Sequence, residues 1–368
     1  MIGATQYDLP LAPGLARKWD AVTELVDMHI IGRRGVVEQE DPRFRLIGTP
    51  DAIGGAGFYA ALPLIAASEM RRHRPDVVIT QSPYEAFACF ALWRRRPPKL
   101  IVELHGDWRT ASRLYGSPLR RTYAALADRA AVAGLRWADE TRTLSPFTAG
   151  LAKDATGKEP VANYTTYFDL ESFTEEVKPL PKRPTVAWVG VLEGYKNPQV
   201  LADAWRLVAP QLPDAQLVVV GQGPLQPIIG ELAEEHPDQV RAVPRLEPPE
   251  VAGLLDDSTL LAMSSESEGV PRVIMEAFTR GRAVVCTAVG GIPDVVKPEH
   301  NGLLVEPGNP EELASALVRI LGDPELAERL GRGALQDAQQ ARWSPPTYAR
   351  AVREMVDSTL TDPVSSQA

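Results

Sequence analysis

The chain has 368 residues, a length that predicts two domains rather than a single core. Its net charge is −9, its apolar and charged fractions are those of a soluble globular protein, and no apolar run approaches the roughly 20 residues that cross a bilayer. Cys89 and Cys286 each lie in an apolar stretch, which argues against disulfides, and the five histidines show no metal-ligand spacing. We therefore expect a cytoplasmic protein with no metal site.

Basic residues are concentrated in the first half of the chain. Residues 1–180 hold 23 Lys and Arg against 22 Asp and Glu, whereas the remainder holds 16 against 26. The basic clusters are Arg71, Arg72 and Arg74, then Arg94, Arg95, Arg96 and Lys99, then Arg120 and Arg121. Such clusters are usually solvated surface, but they could also attract the anionic inner face of a membrane or a phosphate-bearing acceptor. No nucleic-acid partner is expected.

Strands and helices alternate through the first half. Met1 to Tyr7 is a weak strand candidate, and a Pro/Gly loop that contains Pro13 and Gly14 follows it. The further predicted elements are helices at 15–26, 58–72, 84–95 and 119–137, strands at 28–31, 77–80 and 100–104, a short strand near Arg142, and a helix N-capped by Ser145. This alternation predicts a parallel sheet covered by helices, with ligands beyond the carboxyl ends of its strands.

His105 and Asp107, in the sequence HGDWRT, follow the predicted strand at 100–104 directly. A single histidine in a loop is often only a hydrogen-bonding residue. Its position at a strand end makes a functional role about equally plausible.

The chain becomes irregular between residues 166 and 183 and ends there in KPLPKRP, which we interpret as an interdomain linker. A second strand–helix series follows it. Its predicted strands are 186–190, 216–221, 240–243, 260–263 and 283–286, and its helices are 198–208, 225–235, 310–321, 324–339 and 347–360. The sequence GQGP after the strand at 216–221 lacks the third glycine of a dinucleotide fingerprint, so it indicates a tight turn.

The most informative stretch runs from Ser264 to Thr287. Its pattern is a glycine turn at Gly269, a helix with Pro271 in its first turn, and a strand. Free N–H groups at a helix start, here with Gly269 and Val270, can hold a phosphate. Glu268 and Glu276 flank this start, and a carboxylate can accept from two sugar hydroxyls. A sugar nucleotide contains both a phosphate and sugar hydroxyls. N–H groups that can bind the phosphate, flanked by two glutamates that can accept from the hydroxyls, therefore fit such a ligand.

A simpler interpretation is available for the same helix. Arg272, Glu276 and Arg280 are four residues apart and could form a solvated charge ladder worth only a few tenths of a kcal/mol per pair.

The context favours the first interpretation. The stretch resembles the glutamate pair of the retaining glycosyltransferases of family 4, in which seven residues separate two glutamates and a glycine follows the first. GGIPDVV, from Gly290, and NGLLVEPGNPEELASAL, from Asn301, are also similar to that family and follow in its order.

The resemblance implies two Rossmann-like doubly wound parallel-sheet domains that face a central cleft, the GT-B fold. We expect an N-terminal domain at 1–178 on the acceptor side, with a C-terminal helix at 346–360 crossing back to it. A domain that binds the nucleotide sugar would occupy 179–345, and 361–368 would be a disordered tail. In this family a histidine–glycine pair, here His105 and Gly106, often lies near the transferred sugar.

The resemblance also assigns the donor site. Lys196, in GVLEGYKN, matches the family's loop lysine after the strand that ends at Gly190. The arginine that the family usually has beside this glycine is Val191 here, and Arg245 or Arg272 could replace it. Glu268 and Glu276 would recognise hydroxyls. Paired-carboxylate glycosidase chemistry requires both groups at one glycosidic bond.

The sequence therefore predicts a retaining transferase of hexosyltransferase type that uses a nucleotide-diphosphate sugar, without cofactor or metal. Its expected catalytic residues are Glu268, Lys196 and His105. Pro13, Gly14 and Asp107 would lie in loops on the acceptor side. The acceptor could be a sugar, a lipid-linked molecule or a small molecule. A sugar-nucleotide epimerase of the same fold and a non-catalytic sugar-nucleotide-binding subunit, which the loss at Val191 would favour, remain alternatives.

Overall fold

The computed structural model describes residues 1–48, 54–90, 98–110, 118–341 and 344–361. These residues form two compact units. The first contains the described residues up to Tyr167 and those from 344 onwards, and the second begins at Phe168 and extends to 341. Within the described ranges, no helix combines the length and the apolar character that crossing a bilayer requires.

Parallel strands and helices alternate along the chain. The elements of its first part are β1 (Ile2–Leu9), α1 (Pro13–Thr23), β2 (Ile30–Val37), β3 (Phe44–Ile47), α2 (Gly54–His73), β4 (Val77–Thr80), α3 (Pro83–Phe90), β5 (Lys99–Leu104), α4 (Pro118–Trp137), β6 (Glu140–Thr143), α5 (Pro146–Thr156) and β7 (Ala162–Asn163). Those of its second part are β8 (Thr185–Val189), α6 (Pro198–Val208), β9 (Gln216–Val220), α7 (Gln226–Glu235), β10 (Val240–Val243), α8 (Pro248–Asp256), β11 (Leu260–Met263), α9 (Arg272–Thr279), β12 (Ala283–Thr287), α10 (Ile292–Val295), β13 (Gly302–Val305), α11 (Pro310–Leu321), α12 (Pro324–Gln340) and α13 (Pro345–Thr361).

The first unit contains a seven-stranded parallel sheet in the order β3-β2-β1-β4-β5-β6-β7. The segment that looked like a weak strand is β1, the strand between β2 and β4, with Ile2 paired to both Ile31 and Thr80. Its polar residues hid this role, although Ile2, Tyr7 and Leu9 are buried. β3 and β7 were not predicted because they are short and lie at the two edges of the sheet.

The last helix, α13, belongs to the first unit. Its buried residues Tyr348, Val352 and Met355 join Trp19 and Val22 of α1 in one apolar cluster. α1 and α13 therefore cover one face of the first sheet together.

The second unit contains a six-stranded parallel sheet in the order β10-β9-β8-β11-β12-β13. Side chains on a strand alternate between the two faces, and along β11 Leu260 and Ala262 join one apolar cluster while Leu261 and Met263 join the other. Both faces are therefore covered, as is typical of parallel sheets. β13 was not predicted.

β11 lies between β8 and β12 in this sheet, with Leu260 opposite Val186 and Met263 opposite Cys286. All three strands run in the same direction, so the loops that follow their carboxyl ends lie on the same side of the sheet. The segments after β8, β11 and β12 thus meet, and this meeting point is where the sequence places its donor site.

The division between the units comes earlier than the predicted boundary at residue 178. Phe173 is fully buried in an apolar cluster of the second unit. The buried Arg280 donates to the backbone oxygens of Phe173 and Glu175, and Arg282 donates to that of Lys178. Residues 168–178 are therefore packed on the second unit instead of forming the end of the first domain.

Two other predictions concern segments at the limits of the described residues. The helix expected at 84–95 is observed as α3 up to Phe90, and 91–95 lie outside the described residues. Thr361, expected in the tail, is the last residue of α13, whereas 362–368 lie outside the described residues.

Candidate functional site

The loop after β8 carries the predicted lysine and is fastened to the loop after β11. A short 3-10 turn covers Gly194–Lys196, and Asn197, with φ 47°, caps α6 with its side-chain oxygen. The Ser264 hydroxyl donates to the backbone oxygen of Lys196 at 2.9 Å, and the Glu266 N–H donates to that of Tyr195 at 2.7 Å. Two hydrogen bonds from the loop after β11 therefore fix the backbone around Lys196.

Lys196 and Glu268 form the central contact of the site. The Lys196 ammonium donates to Glu268 Oε1 at 2.6 Å, and the Ser265 hydroxyl donates to the same oxygen at 2.7 Å. Only 12% of the lysine side chain and 10% of the glutamate side chain are exposed. The stem of Lys196 runs along Gly190, where an added Cβ would lie 3.5 Å from Lys196 Cε. Two of the three residues predicted to be catalytic therefore form a largely enclosed ion pair.

Two adjacent glycines after β12, Gly290 and Gly291, pack against the backbone of the loop that carries Glu268. Gly290 has φ 58°, and a Cβ at this position would lie 1.9 Å from the backbone oxygen of Glu268. The Gly291 N–H donates to the backbone oxygen of Gly269 at 3.0 Å, and the Thr287 hydroxyl donates to that of Ser265 at 2.6 Å. Sequence reasoning used GGIPDVV only as part of the resemblance, although two adjacent glycines after a strand signal a close backbone approach.

The helix after Glu268 starts one residue later than predicted. α9 begins at Arg272, and Pro271, with ψ 127°, is its extended N-cap rather than its first residue. The first N–H groups of any helix lack partners within that helix, so the amino end of α9 still offers donors and a partial positive charge. Gly269 and Val270 lie between this end and Glu268.

The simple charge ladder on α9 is not formed. Arg272 contacts Glu276 at 2.6 Å, but Arg280 is buried and donates to both carboxylate oxygens of Asp256 instead. Glu276 is only 7% exposed. Its burial raises the pKa of Glu276, and the Arg272 guanidinium opposes that shift. Glu276 is therefore a buried carboxylate with one cationic partner, not a residue of a solvated ladder.

The two arginines expected to replace the missing family arginine are both engaged elsewhere. Arg245 is mostly exposed, pairs with Glu247 at 3.1 Å, and follows β10 at the edge of the sheet. Arg272 reaches the backbone oxygen of Asp169 at 3.0 Å in addition to Glu276. Val191 itself is 45% exposed. Among the contacts of the described residues, neither arginine bonds to Lys196 or Glu268, and Arg272 instead pairs with the other predicted donor-site carboxylate, Glu276.

The predicted residues of the first unit are spread over two strand ends. Pro13 opens α1 after β1, and Gly14 beside it is buried. His105 follows β5 and contacts Glu103 Oε2 through Nε2 at 3.2 Å. Asp107 accepts from the N–H and the guanidinium of Arg109, which makes it part of a local loop contact.

Sequence reasoning missed the two residues that support His105. Glu103 points from β5 to Arg142 of β6, and the Arg142 guanidinium donates to Glu103 Oε1 at 3.0 Å with both side chains buried. Burial, the largest single effect, would raise the pKa of Glu103, but the charge of Arg142 together with the His105 contact and the charge of Lys18 outweighs it and lowers that pKa to about 2. Glu103 therefore stays ionised and fixes one ring nitrogen of His105. A glutamate inside the apolar strand sequence KLIVEL was the available signal.

The basic clusters are only partly described. Arg71, Arg72 and Arg74 are exposed at the end of α2. Arg94, Arg95 and Arg96, and the side chains of Arg120 and Arg121, lie outside the described residues.

Two family models match the chain, one in each unit. Residues 171–337 match the model "Glycosyl transferases group 1", and residues 3–161 match the model "Glycosyl transferase 4-like domain". With the fold and the loop arrangement above, these matches make the chain similar to proteins of the glycosyltransferase class. Its second unit matches the group 1 model and its first unit matches the 4-like model.

Named relatives belong to the same class. A D-inositol 3-phosphate glycosyltransferase of Jonesia denitrificans is 33% identical over 172 residues, which cover 44% of this chain and 41% of that protein. The sulfoquinovosyl transferase SQD2 of Arabidopsis thaliana is 25% identical over 315 residues, which cover 79% of this chain and 59% of that protein. The chain thus spans between two fifths and three fifths of the length of these two relatives.

Solved structures share the fold over nearly the whole chain. A sucrose-phosphate synthase from Thermosynechococcus elongatus superposes with a TM-score of 0.75 at 19% identity and covers 98% of both chains. Anabaena HepE in complex with UDP superposes with a TM-score of 0.70 at 19% identity and covers 97% of this chain and 99% of its own. The fold class predicted from the sequence, two Rossmann-like parallel-sheet domains of the GT-B type, is confirmed.

Proposed function

We propose that this protein transfers a sugar from a nucleotide-diphosphate sugar to an acceptor, with retention of configuration and without a metal ion in the reaction. The observation that carries the proposal is the enclosed ion pair between Lys196 and Glu268, four residues before the amino end of α9. It combines a fixed cation, a fixed carboxylate and a helix end with free donors, which are the groups that a sugar diphosphate requires.

Lys196 and α9 would stabilise the departing diphosphate. Negative charge builds on that group as the bond to the sugar breaks, so fixed cations and N–H donors that face it lower the barrier. An ammonium has three donors, and Lys196 can keep its contact with Glu268 while it donates to a phosphate oxygen. The low exposure of the pair strengthens the interaction, because little water screens it.

Glu268 and Glu276 would recognise hydroxyl groups at the two ends of the donor. Ser265 and Lys196 both donate to Glu268 Oε1, which leaves Oε2 as an acceptor for the transferred sugar. Glu276 has one guanidinium contact on Oε1 and could accept from the ribose with its other oxygen. His105, held by Glu103 in the first unit, is assigned to the transferred sugar or the acceptor.

Product analysis by mass spectrometry tests the proposal. The purified protein would be incubated with a panel of nucleotide sugars, uridine donors first because HepE structures contain UDP and UDP-glucose. Release of a nucleoside diphosphate that depends on the donor, and that Glu268→Gln abolishes, supports a transferase. A changed sugar nucleotide without release would indicate an epimerase, and binding without any reaction would indicate the non-catalytic subunit that Val191 favours.

Metal independence is tested separately. Donor turnover should persist in excess EDTA, because Lys196 and the start of α9 supply the positive charge that a divalent ion would otherwise provide. Loss of turnover that returns with manganese or magnesium would contradict this part of the proposal.

The acceptor remains a sugar, a lipid-linked molecule or a small molecule, and the exposed Arg71, Arg72 and Arg74 could bring the protein to an anionic surface. Co-sedimentation with vesicles that contain phosphatidylglycerol, compared with neutral vesicles, measures this directly. Equal sedimentation with both would exclude an electrostatic membrane contact.

A further inference from the structure

A second cluster of polar side chains lies at the amino ends of the strands of the first sheet, whereas His105 and Pro13 follow the carboxyl ends. His29 directly precedes β2, while Glu69 and His73 are four residues apart in the last turns of α2. His29 and His73 each place Nε2 at 3.3 Å from Glu69 Oε2. This arrangement could not be predicted from the sequence, because His29 lies 40 positions before Glu69.

We propose that His29, Glu69 and His73 form a binding site for a divalent transition metal ion, with Zn²⁺ as the ion that fits best. Two imidazoles and one carboxylate are a ligand set that zinc accepts, with an open position left for water. The ligand atoms of the three residues all lie within 4.8 Å of one another.

The two histidine–glutamate distances match such a centre. Zinc bonds to histidine and carboxylate are about 2.0–2.2 Å long, so neighbouring ligands of a tetrahedral ion are about 3.3–3.5 Å apart. Both histidine–glutamate separations, at 3.3 Å, have this value. The two imidazole rings are stacked, with centroids 4.1 Å apart and planes 19° apart. One ring must therefore turn about its Cβ–Cγ bond before both nitrogens can point at one ion.

The hydrogen bonding of the cluster is incomplete without a ligand. His29 Nε2 is buried, and in the described part of the chain it makes no hydrogen bond of acceptable geometry, although Glu69 Oε2 is near. A buried ring nitrogen without a partner is costly, and a metal ion would satisfy it. Glu69 Oε1 lies 3.7 Å from Arg45 Nε, so its other oxygen remains for the ion.

The surroundings leave space to complete the coordination shell. The cluster lines a cavity of about 370 Å³ whose other walls include Arg353 and Asp357 of α13. Waters in this cavity could fill the open positions of the ion. The cavity lies at the amino ends of the strands, so this metal would not be placed at the predicted residues that follow their carboxyl ends.

Calorimetric titration of the chelator-treated full chain with zinc chloride tests the proposal. We expect one zinc ion per chain, at least tenfold weaker binding in both Glu69→Gln and His73→Gln, and parental binding in His236→Gln, a histidine of the second unit outside the cluster. Glutamine keeps the size of glutamate, and the melting temperature of each variant without metal verifies that it folds.

Two further readouts make the outcome decisive. Zinc should raise the melting temperature of the parent and of His236→Gln but not of the two cluster variants. Cobalt(II) should give the intense visible absorption of a low-coordinate site in the parent and in His236→Gln but not in the two cluster variants. Absence of stoichiometric zinc binding, parental binding in both cluster variants, or an equal loss in His236→Gln would overturn the proposal.

Discussion

The Lys196 ammonium and the Glu268 carboxylate lie 2.6 Å apart on loops that follow neighbouring strands, and each is about nine-tenths shielded from solvent. Each residue therefore depends on the other for charge compensation in the absence of a donor. As far as the structure describes the chain, neither Arg245 nor Arg272 makes a hydrogen bond or an ion pair with either member of this pair.

Lys196→Ala should be unusually damaging for this reason. A charge-assisted contact is worth about 1.5–3 kcal/mol, so kcat/KM should fall by at least roughly tenfold to a hundredfold. Arg245→Ala, at an exposed arginine, is the matched control and should retain parental turnover. Val191→Arg should recover part of the loss in the Lys196→Ala background. Near-parental kcat/KM for Lys196→Ala, or a severe effect of an arginine variant alone, would show that another cation serves the diphosphate.

Glu276→Gln should weaken nucleotide binding while it leaves the fold at least as stable as the parent at pH 7. Burial raises the pKa of Glu276, so the charged form destabilises the folded state above the ordinary carboxyl pKa of about 4.3. The folded parent binds the proton more readily than the unfolded chain, and its stability relative to the variant should therefore increase as the pH falls from 7 towards 4. Thermal unfolding at several pH values and calorimetric titration with free nucleoside diphosphate measure both effects. Parental affinity in the variant would refute the assigned role.

Gly290→Ala should lower kcat/KM as well as the stability of the fold. The new Cβ would lie 1.9 Å from the Glu268 backbone oxygen, so the loop that carries Glu268 must move. Gly308→Ala is the matched control, because Gly308 has a similar φ of 76° but nothing within 4 Å of its Cβ position. Both variants should lose about 1–2 kcal/mol of stability from the left-handed backbone. Gly290→Ala should lose more because of the clash, and only this variant should also lose activity. Equal kcat/KM in the two variants would show that Gly290 does not influence the site.

Arg142→Met should destabilise the first unit by about 3–5 kcal/mol, because it removes the buried cation beside the buried Glu103 and leaves only the more exposed His105. The pKa of Glu103, about 2 beside Arg142, lies below the unfolded value, so this stabilisation is present above about pH 4.3 and is lost as the pH falls towards 2. The difference between parent and variant in urea unfolding should therefore be large at pH 7 and smaller at pH 3. Arg332→Met, which removes an exposed contact with Glu328, should change stability by less than about 1 kcal/mol. A pH-independent difference would contradict the electrostatic explanation.

The sequence predicted the parts of the site that local patterns encode. Glu268, Gly269 and Lys196 each follow a strongly apolar strand, and the strand ends of a parallel sheet meet at one edge, so their proximity could be expected. The same argument placed His105 correctly at the end of β5.

Contacts that depend on side-chain direction could not be predicted. Arg280 has ladder spacing from Glu276, yet it turns to Asp256 because that carboxylate is buried beside it. Glu103 and Arg142 pair across 39 residues, and the histidine–glutamate cluster joins two distant segments. Such pairings are set by the register of the sheet and the packing of its helices, which one-dimensional spacing does not contain.

The position of the C-terminal helix determines the order in which the two units can complete their folding. Tyr348, Val352 and Met355 belong to the apolar cluster that also contains Trp19 and Val22, residues that leave the ribosome more than three hundred positions earlier. The second unit lies wholly within the intervening stretch, so during synthesis it can complete its core while the first unit still has an uncovered apolar face. The part of the protein that is translated first is therefore the part that finishes folding last.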